Sequence, residues 1–465
     1  MIRYFQICLT GLYVLGCSIL VGQKDLARYP ATFNGSAQPR MILESDGRNL
    51  LIVNQGGELQ MVQLDEDFRF QKGEKINLKK AEIPAKEPDA ILGYPQFLDL
   101  FYLENSFDQL VRIRISKRNH VIERKLLSLP QGDGAELLAV KKYDRALYIF
   151  TLNPETRKLA IYEFRDEIRP QTYTYVLPEL GLLAEGSPLT FPIMDELPEV
   201  IVRNNAGLCK LYFEEERFIL TLDFRQVLKT KTIFLDKKSG EVNSMDHWLG
   251  EVEAGEEFAT NSLLYQNMLF QVKATPRKLA LSVTNLESRH LAREWEWRDK
   301  EEVRLFFEEL KKETFSYLNP VFDSEFSLLD ELAKQVSLGM MMDSEGMTRL
   351  ILGSYRREAS EKMFFALDVM GNARDSSHKS GFFPAASSFE ALEGDLFFMA
   401  SFGLDWQNIN QKMNQYEDFP IEKLYQYTRR NYLLEESRAQ MIFQREHKWY
   451  LGFLDGGNYI IREFE

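Results

Sequence analysis

The residues best equipped for chemistry lie in one short run, Asp246-His247-Trp248, with Glu251 close behind. An Asp beside a His can orient an imidazole for proton transfer, and an indole offers a flat face for stacking. Two carboxylates can cleave a glycosidic bond, but only when they face each other across a cleft. The run alone brings no second acid into position. Asp246, His247 and Trp248 are therefore read as a candidate binding group, and no residue is given a catalytic role.

Other chemistries find little support. The histidines are His120, His247, His290, His378 and His447, and no two are spaced like metal ligands. Gly-x-Ser-x-Gly, His-Glu-x-x-His, the phosphate loop, the dinucleotide fingerprint and the calcium loop do not occur. Neither a metal nor a cofactor is expected. The acidic runs Asp65-Glu-Asp67, Glu214-Glu-Glu216 and 251–257 read as solvated turns. Trp295 and Trp297 fall on one side of a strand; they could form a sugar-stacking platform, but packing is the adopted reading. The net charge of −13, from 57 basic and 70 acidic residues, repels phosphate backbones, so nucleic acid is not an expected partner.

The first 22 residues have a character of their own. Arg3 is the only charge before Lys24, and Ile7 to Val21 is apolar, a stretch close to a signal-peptide core and short for a membrane span. Cleavage after Gly22 is the reading adopted. Val14-Leu15-Gly16-Cys17 also resembles a lipobox, which would make Cys17 a lipid anchor and the sole link to a membrane; an uncleaved anchor is the third alternative. Removal of residues 1–22 would take Cys8 and Cys17 and leave Cys209 without an intramolecular partner. An exported chain of 465 residues without disulfides points to a bacterial envelope, where size supplies the core. Aromatics at 12%, with 33 Phe and 20 Tyr, supply the material for it.

The elements that must carry these residues repeat. An apolar strand, a polar turn and an alternating strand recur as Leu50–Val53 with Leu59–Gln63, Leu100–Leu103 with Leu110–Ile115, Leu147–Phe150 with Leu159–Phe164, and Val200–Val202 with Leu208–Phe213. The leading leucines Leu59, Leu110, Leu159 and Leu208 are spaced by 51, 49 and 49 residues. Further copies begin at Met268, Leu350, Leu396 and Trp449, with insertions near 223–257, 299–333 and 418–436. Helical spacing of Val303, Phe306, Phe307 and Leu310 marks the second insertion, with a shorter helix expected from Ser327 through Leu332.

Three or four strands per unit of this pitch resemble a β-propeller. The likeness runs from Leu50 to the C-terminus and stops at the architecture; no particular propeller family matches. It implies an all-β chain over residues 23–465, a single seven- or eight-bladed β-propeller with helical insertions. A propeller needs ring closure, so residues between Ala27 and Met41 are expected to pair beside the last unit. Cys209 should lie buried with Leu211 and Phe213 against a neighbouring blade. The function expected is that of an exported envelope protein, periplasmic, outer-envelope or secreted, which binds or scaffolds a protein or glycan partner. The alternative is an enzyme acting on an extracellular glycan, for which two or more of Asp246, His247 and Glu251 would have to converge at the channel mouth.

Overall fold

The computed structural model describes residues 23–298, 328–354, 396–401 and 441–464, apart from short connecting stretches inside these ranges. The signal-like segment with Cys17, the expected helix at 303–310 and the insertion at 418–436 lie outside the described residues.

The chain opens with β1 (Gln23–Pro30), which is set aside until the end. Blade 1 is β2 (Gln38–Leu43), β3 (Asn49–Gln55), β4 (Glu58–Leu64) and β5 (Phe70–Asn77). Blade 2 is β6 (Ala90–Gly93), β7 (Phe97–Leu103), β8 (Gln109–Ser116) and β9 (Ile122–Ser128). Blade 3 is β10 (Glu136–Tyr143), β11 (Ala146–Asn153), β12 (Lys158–Phe164) and β13 (Gln171–Val176). Blade 4 is β14 (Leu189–Thr190), β15 (Cys209–Phe213), β16 (Arg217–Phe224), β17 (Lys229–Asp236) and β18 (Val242–Trp248), with β14 parallel to β15. Blade 5 is β19 (Ala259–Tyr265), β20 (Met268–Thr275), β21 (Lys278–Asn285) and β22 (His290–Trp297). A short helix α1 (Leu328–Lys334) leads into blade 6, β23 (Ser337–Met342), β24 (Thr348–Ser354) and β25 (Leu396–Ser401). Blade 7 is β26 (Met441–Arg445), β27 (Lys448–Asp455) and β28 (Asn458–Phe464), and β1 returns as its fourth strand, antiparallel to β28. The described residues thus form an all-β propeller of seven sheets.

Burial on both faces explains the uninterrupted apolar runs. Leu50 and Ile52 of β3 pack toward blade 2, while Leu51 and Val53 pack toward blade 7. Leu147 and Ile149 of β11 face blade 2, and Tyr148, Phe150 and Leu152 face blade 4. A strand between two other sheets has no polar side to show, so its sequence does not alternate. Outer strands do alternate or turn polar, as in β5, where only Ile76 is buried.

The ring closes as expected, through Ala27, Tyr29 and Pro30 of β1 opposite Ile461, Tyr459 and Asn458. Tyr29 and Phe33 pack on the ring of Tyr459, with centroids at 5.8 and 5.3 Å, and Ala31 N–H donates to the Gly457 carbonyl at 2.9 Å. Gln38 to Met41 belong instead to β2, the innermost strand of blade 1. Cys209 is buried and unpaired beside Leu211 in the core shared with blade 3, where burial pushes its thiol up to about 12.

Two unit assignments change. Leu208 immediately precedes the first long strand of blade 4 and is not in the third, so its pitch with Leu159 is a coincidence of pattern. The matching position is Thr230 on β17, 49 residues before Leu279, and the extra length precedes β15. Residues 223–257, read as an insertion, hold the end of β16, a 3-10 turn at Arg225–Val227, and the regular strands β17 and β18. Leu396 to Ala400, read as the start of a seventh unit, instead completes blade 6 by pairing with β24. This removes one unit from a count of eight.

Candidate functional site

Asp246, His247 and Trp248 end β18, the outermost strand of blade 4, and so stand on the rim of the propeller. The register with β17 sets Trp248 opposite Lys229, His247 opposite Thr230 and Asp246 opposite Lys231. Directly opposed residues in an antiparallel pair share a face, and successive ones alternate. The trio is therefore split. Asp246 and Trp248 share one face with Lys229 and Lys231, and His247 joins Thr230 and Thr232 on the other.

On the first face the Asp246 carboxylate accepts from Lys229 Nζ at 3.2 Å on Oδ2, and Lys231 Nζ lies 3.4 Å from Oδ1. Partial burial would raise this carboxyl, but the two ammonium groups outweigh it and hold it below the usual range. Lys229 Nζ sits 5.4 Å from the ring centroids of both Phe224 and Trp248. Trp248 is 65% exposed, a large apolar surface presented to solvent on a hydrogen-bonded strand.

The second face is interior. His247 is 7% exposed; its Nε2 lies 3.2 Å from Thr232 Oγ1, and Gln271 Nε2 of blade 5 donates to its carbonyl at 3.4 Å. Burial lowers the imidazole pKa, and Asp246 only partly opposes this. Lys273 Nζ ties down the chain beyond the strand by donating to the Leu249 and Glu251 carbonyls at 2.6 and 3.0 Å.

This face belongs to a polar seam between blades 4 and 5. At its inner end the fully buried Lys210 and Asp223 pair at 3.0 Å. Asp223 also accepts from Thr230 Oγ1 at 2.7 Å and from Ser262 N–H at 3.0 Å. Tyr212 Oη accepts from Leu264 N–H at 3.0 Å. Its polar atoms are largely satisfied within the seam, so its chemistry is that of a glued interface.

Asp246 and His247 point away from each other, and Glu251 is exposed past the end of β18. Trp295 and Trp297 pack into the core between blades 5 and 6. Among the described residues, no group of three or more His, Cys, Asp or Glu could hold a metal ion, and no helix is long and apolar enough to cross a membrane. The sequence reading missed Lys229, Lys231 and Phe224. Their signal was the alternation Lys229-Thr-Lys-Thr232, which marks a strand with one charged and one buried polar edge.

No protein-family profile matches the chain, and no curated protein sequence does. Structural likenesses are faint. The Dos1 propeller aligns over 96% of this chain and 95% of its own, at 8% identity and a TM-score of 0.34. AztD from Citrobacter koseri aligns over 55% of this chain and 71% of its own, at 11% identity and 0.26. An apocarotenoid oxygenase from Synechocystis aligns over 55% of this chain, at 7% identity and 0.26, and the match spans 60% of the oxygenase. The fold assignment rests on the sheets and their closure, not on these likenesses.

Proposed function

We propose that this protein is an exported bacterial envelope propeller that binds a partner without transforming it, and that the rim face of blade 4 contacts a glycan. The observation that carries the reading is Trp248. An indole largely open to water gains by covering its face with the apolar side of a sugar ring. Asp246, fixed between Lys229 and Lys231, places acceptors and donors at the edge of that platform, where hydroxyl groups would fall. The β-ladder under them keeps the group preorganised, which limits the entropy lost on binding.

Export rests on the apolar segment Ile7 to Val21. It is compatible with the ring, because the first described pair is Gln23 with Phe464, so cleavage after Gly22 would spare every described pair. N-terminal sequencing of protein from the envelope fraction tests this; a chain starting at Met1 in the cytoplasm would refute it.

The binding claim is tested by screening immobilised envelope glycans and titrating the best ligand by calorimetry. Trp248→Ala should weaken binding by about tenfold, equivalent to about 1.4 kcal/mol, and Asp246→Asn should weaken it less. Unchanged affinity in Trp248→Ala would place the partner elsewhere.

A further inference from the structure

The joint that closes the ring, between blades 7 and 1, holds a pair of hydroxyl groups inside an apolar cluster. Ala27, Tyr29, Tyr459 and Ile461 of blade 7 pack there against Met41, Leu51 and Val53 of blade 1. Tyr29 of β1 and Tyr459 of β28 are directly opposed in the closing ladder. Opposed residues share a face, so both side chains reach toward blade 1. Their ring centroids are 5.8 Å apart. Phe33 covers Tyr459 at 5.3 Å, and Phe70 lies 5.6 Å from Tyr29. Tyr459 is 0% exposed and Tyr29 4%. Among the described residues, neither hydroxyl has a hydrogen-bond partner.

Hydroxyls placed in this way are costly. Phenylalanine at either position would fill nearly the same space without stranding a polar atom, and a buried Tyr O–H ordinarily finds a partner. The backbone nevertheless makes room for one of them. A Cβ on Gly452 of β27 would sit 2.5 Å from Tyr459 Oη, so the absence of a side chain there gives the hydroxyl its place. Burial pushes both phenols above their ordinary range, and for Tyr459 the neighbouring Tyr29 adds to the effect. Each stays a neutral O–H, which can donate one bond and accept another. An ion would give up its hydration for two neutral groups, which is unfavourable. The setting suits a guest that is small, uncharged and able both to donate and to accept.

We infer that the closure joint binds one buried water molecule, which bridges Tyr29 Oη and Tyr459 Oη. Buried waters typically satisfy otherwise unpaired polar groups in this manner. Two O–H···O bonds end to end reach roughly 5.6 Å, close to the spacing of the two rings. The bridge ties β1 to β28 through side chains as well as through the backbone ladder. It is separate from the proposed glycan face, which lies on blade 4.

A double-mutant cycle tests this, with Tyr29→Phe, Tyr459→Phe and the double variant unfolded in urea. The substitutions keep both rings, so the packing of the joint is retained. Each single variant should lower the folding equilibrium constant about threefold to tenfold, because the remaining hydroxyl and the water lose a bond. The double variant should fall little further than either single one, because the two residues act through one molecule. Hydroxyls without a guest predict the opposite sign, with each phenylalanine stabilising the fold. Magnetic relaxation dispersion of water deuterons on the full chain counts long-resident waters independently, and the count should fall by one in the double variant. Single variants as stable as wild type or more so, effects that multiply in the double variant, or an unchanged count would overturn the inference.

Discussion

Lys210 holds a structural position at the joint between blades 4 and 5. Its ammonium is fully buried against Asp223, so removing it strands a carboxylate held by only Thr230 and the Ser262 amide. Breaking a buried pair by deleting one partner costs about 3–5 kcal/mol, whereas replacing both with apolar groups of similar size can be nearly neutral. Urea melts should show Lys210→Met strongly destabilised and the Lys210→Met/Asp223→Leu double variant recovering only part of the loss, because the Thr230 hydroxyl and Ser262 amide then lose their acceptor. Similar losses in both would mean that the pair is not the unit that matters. His247 gives the seam a pH dependence. The folded state holds its imidazole below the ordinary value, which is about 6.5. As pH falls through that value, the unfolded chain takes up a proton that the folded chain refuses, so stability falls until the folded imidazole protonates too. Between about pH 7.5 and 5.5, wild type should lose more stability than His247→Gln. Parallel slopes would show that His247 is not the group responsible. From sequence, the chemical character of His247 and Trp248 was legible, and their divergence was not. Their strand was hidden in what looked like an inserted loop, and alternation assigns faces only once a strand is recognised.

At the level of elements, the hairpins explain what the sequence made visible. The pattern of Leu50–Val53 with Leu59–Gln63 reappears in the structure as β3 and β4, and Leu147–Phe150 with Leu159–Phe164 as β11 and β12. A second marker, present in blades 1, 4 and 5, went unread: the turn after the third long strand. Asp65 Oδ1 accepts the Asp67 and Arg69 amides, Asp236 Oδ1 those of Lys238 and Ser239, and Asn285 Oδ1 those of Glu287 and Ser288. Each turn then passes through positive φ, at Phe68, Gly240 and Arg289. Short acceptors of this kind close tight turns by bonding their own backbone. They would have put Asp236 at the end of a third strand and so exposed β17 and β18. The pairing of Leu396–Ser401 with β24 was not legible, because an apolar strand does not name its partner across a long separation. Strand β28 carries the clearest test at this scale. Deleting residues 459–465 removes Tyr459, Ile460, Ile461 and Phe464, all buried, and leaves β1 without a neighbour. With each such side chain worth about 1.5–3 kcal/mol, the loss is roughly 6 kcal/mol or more. A thermal melt of the deletion should show a large drop or insoluble protein, and an unchanged melting temperature would contradict the closure.

At the scale of the whole molecule, the described residues join the blades by two kinds of contact. Apolar clusters join blade 7 to 1, 1 to 2, 2 to 3, 3 to 4 and 5 to 6. Between blades 4 and 5 the described apolar cluster shrinks to a few residues around Ile219 and Leu269, and the buried polar seam takes its place. Blade 4, whose extra strand β14 runs parallel to β15, thus meets blade 5 through polar groups and blade 3 through apolar ones. The closure of blade 7 has a mechanical meaning as well. Gln23 lies opposite Phe464 and Pro30 opposite Asn458, so residues 23 and 464 leave the same end of one antiparallel pair. A force applied between them does not shear the ladder; it loads one bonded pair at a time and peels β1 away like a zip. In an optical trap with handles at these positions, the first event should come at low force and release the eight residues of β1, a contour length of roughly 27 Å. The blades behind it should give way only later, at higher load, so that the strand that completes the ring is also its release tab.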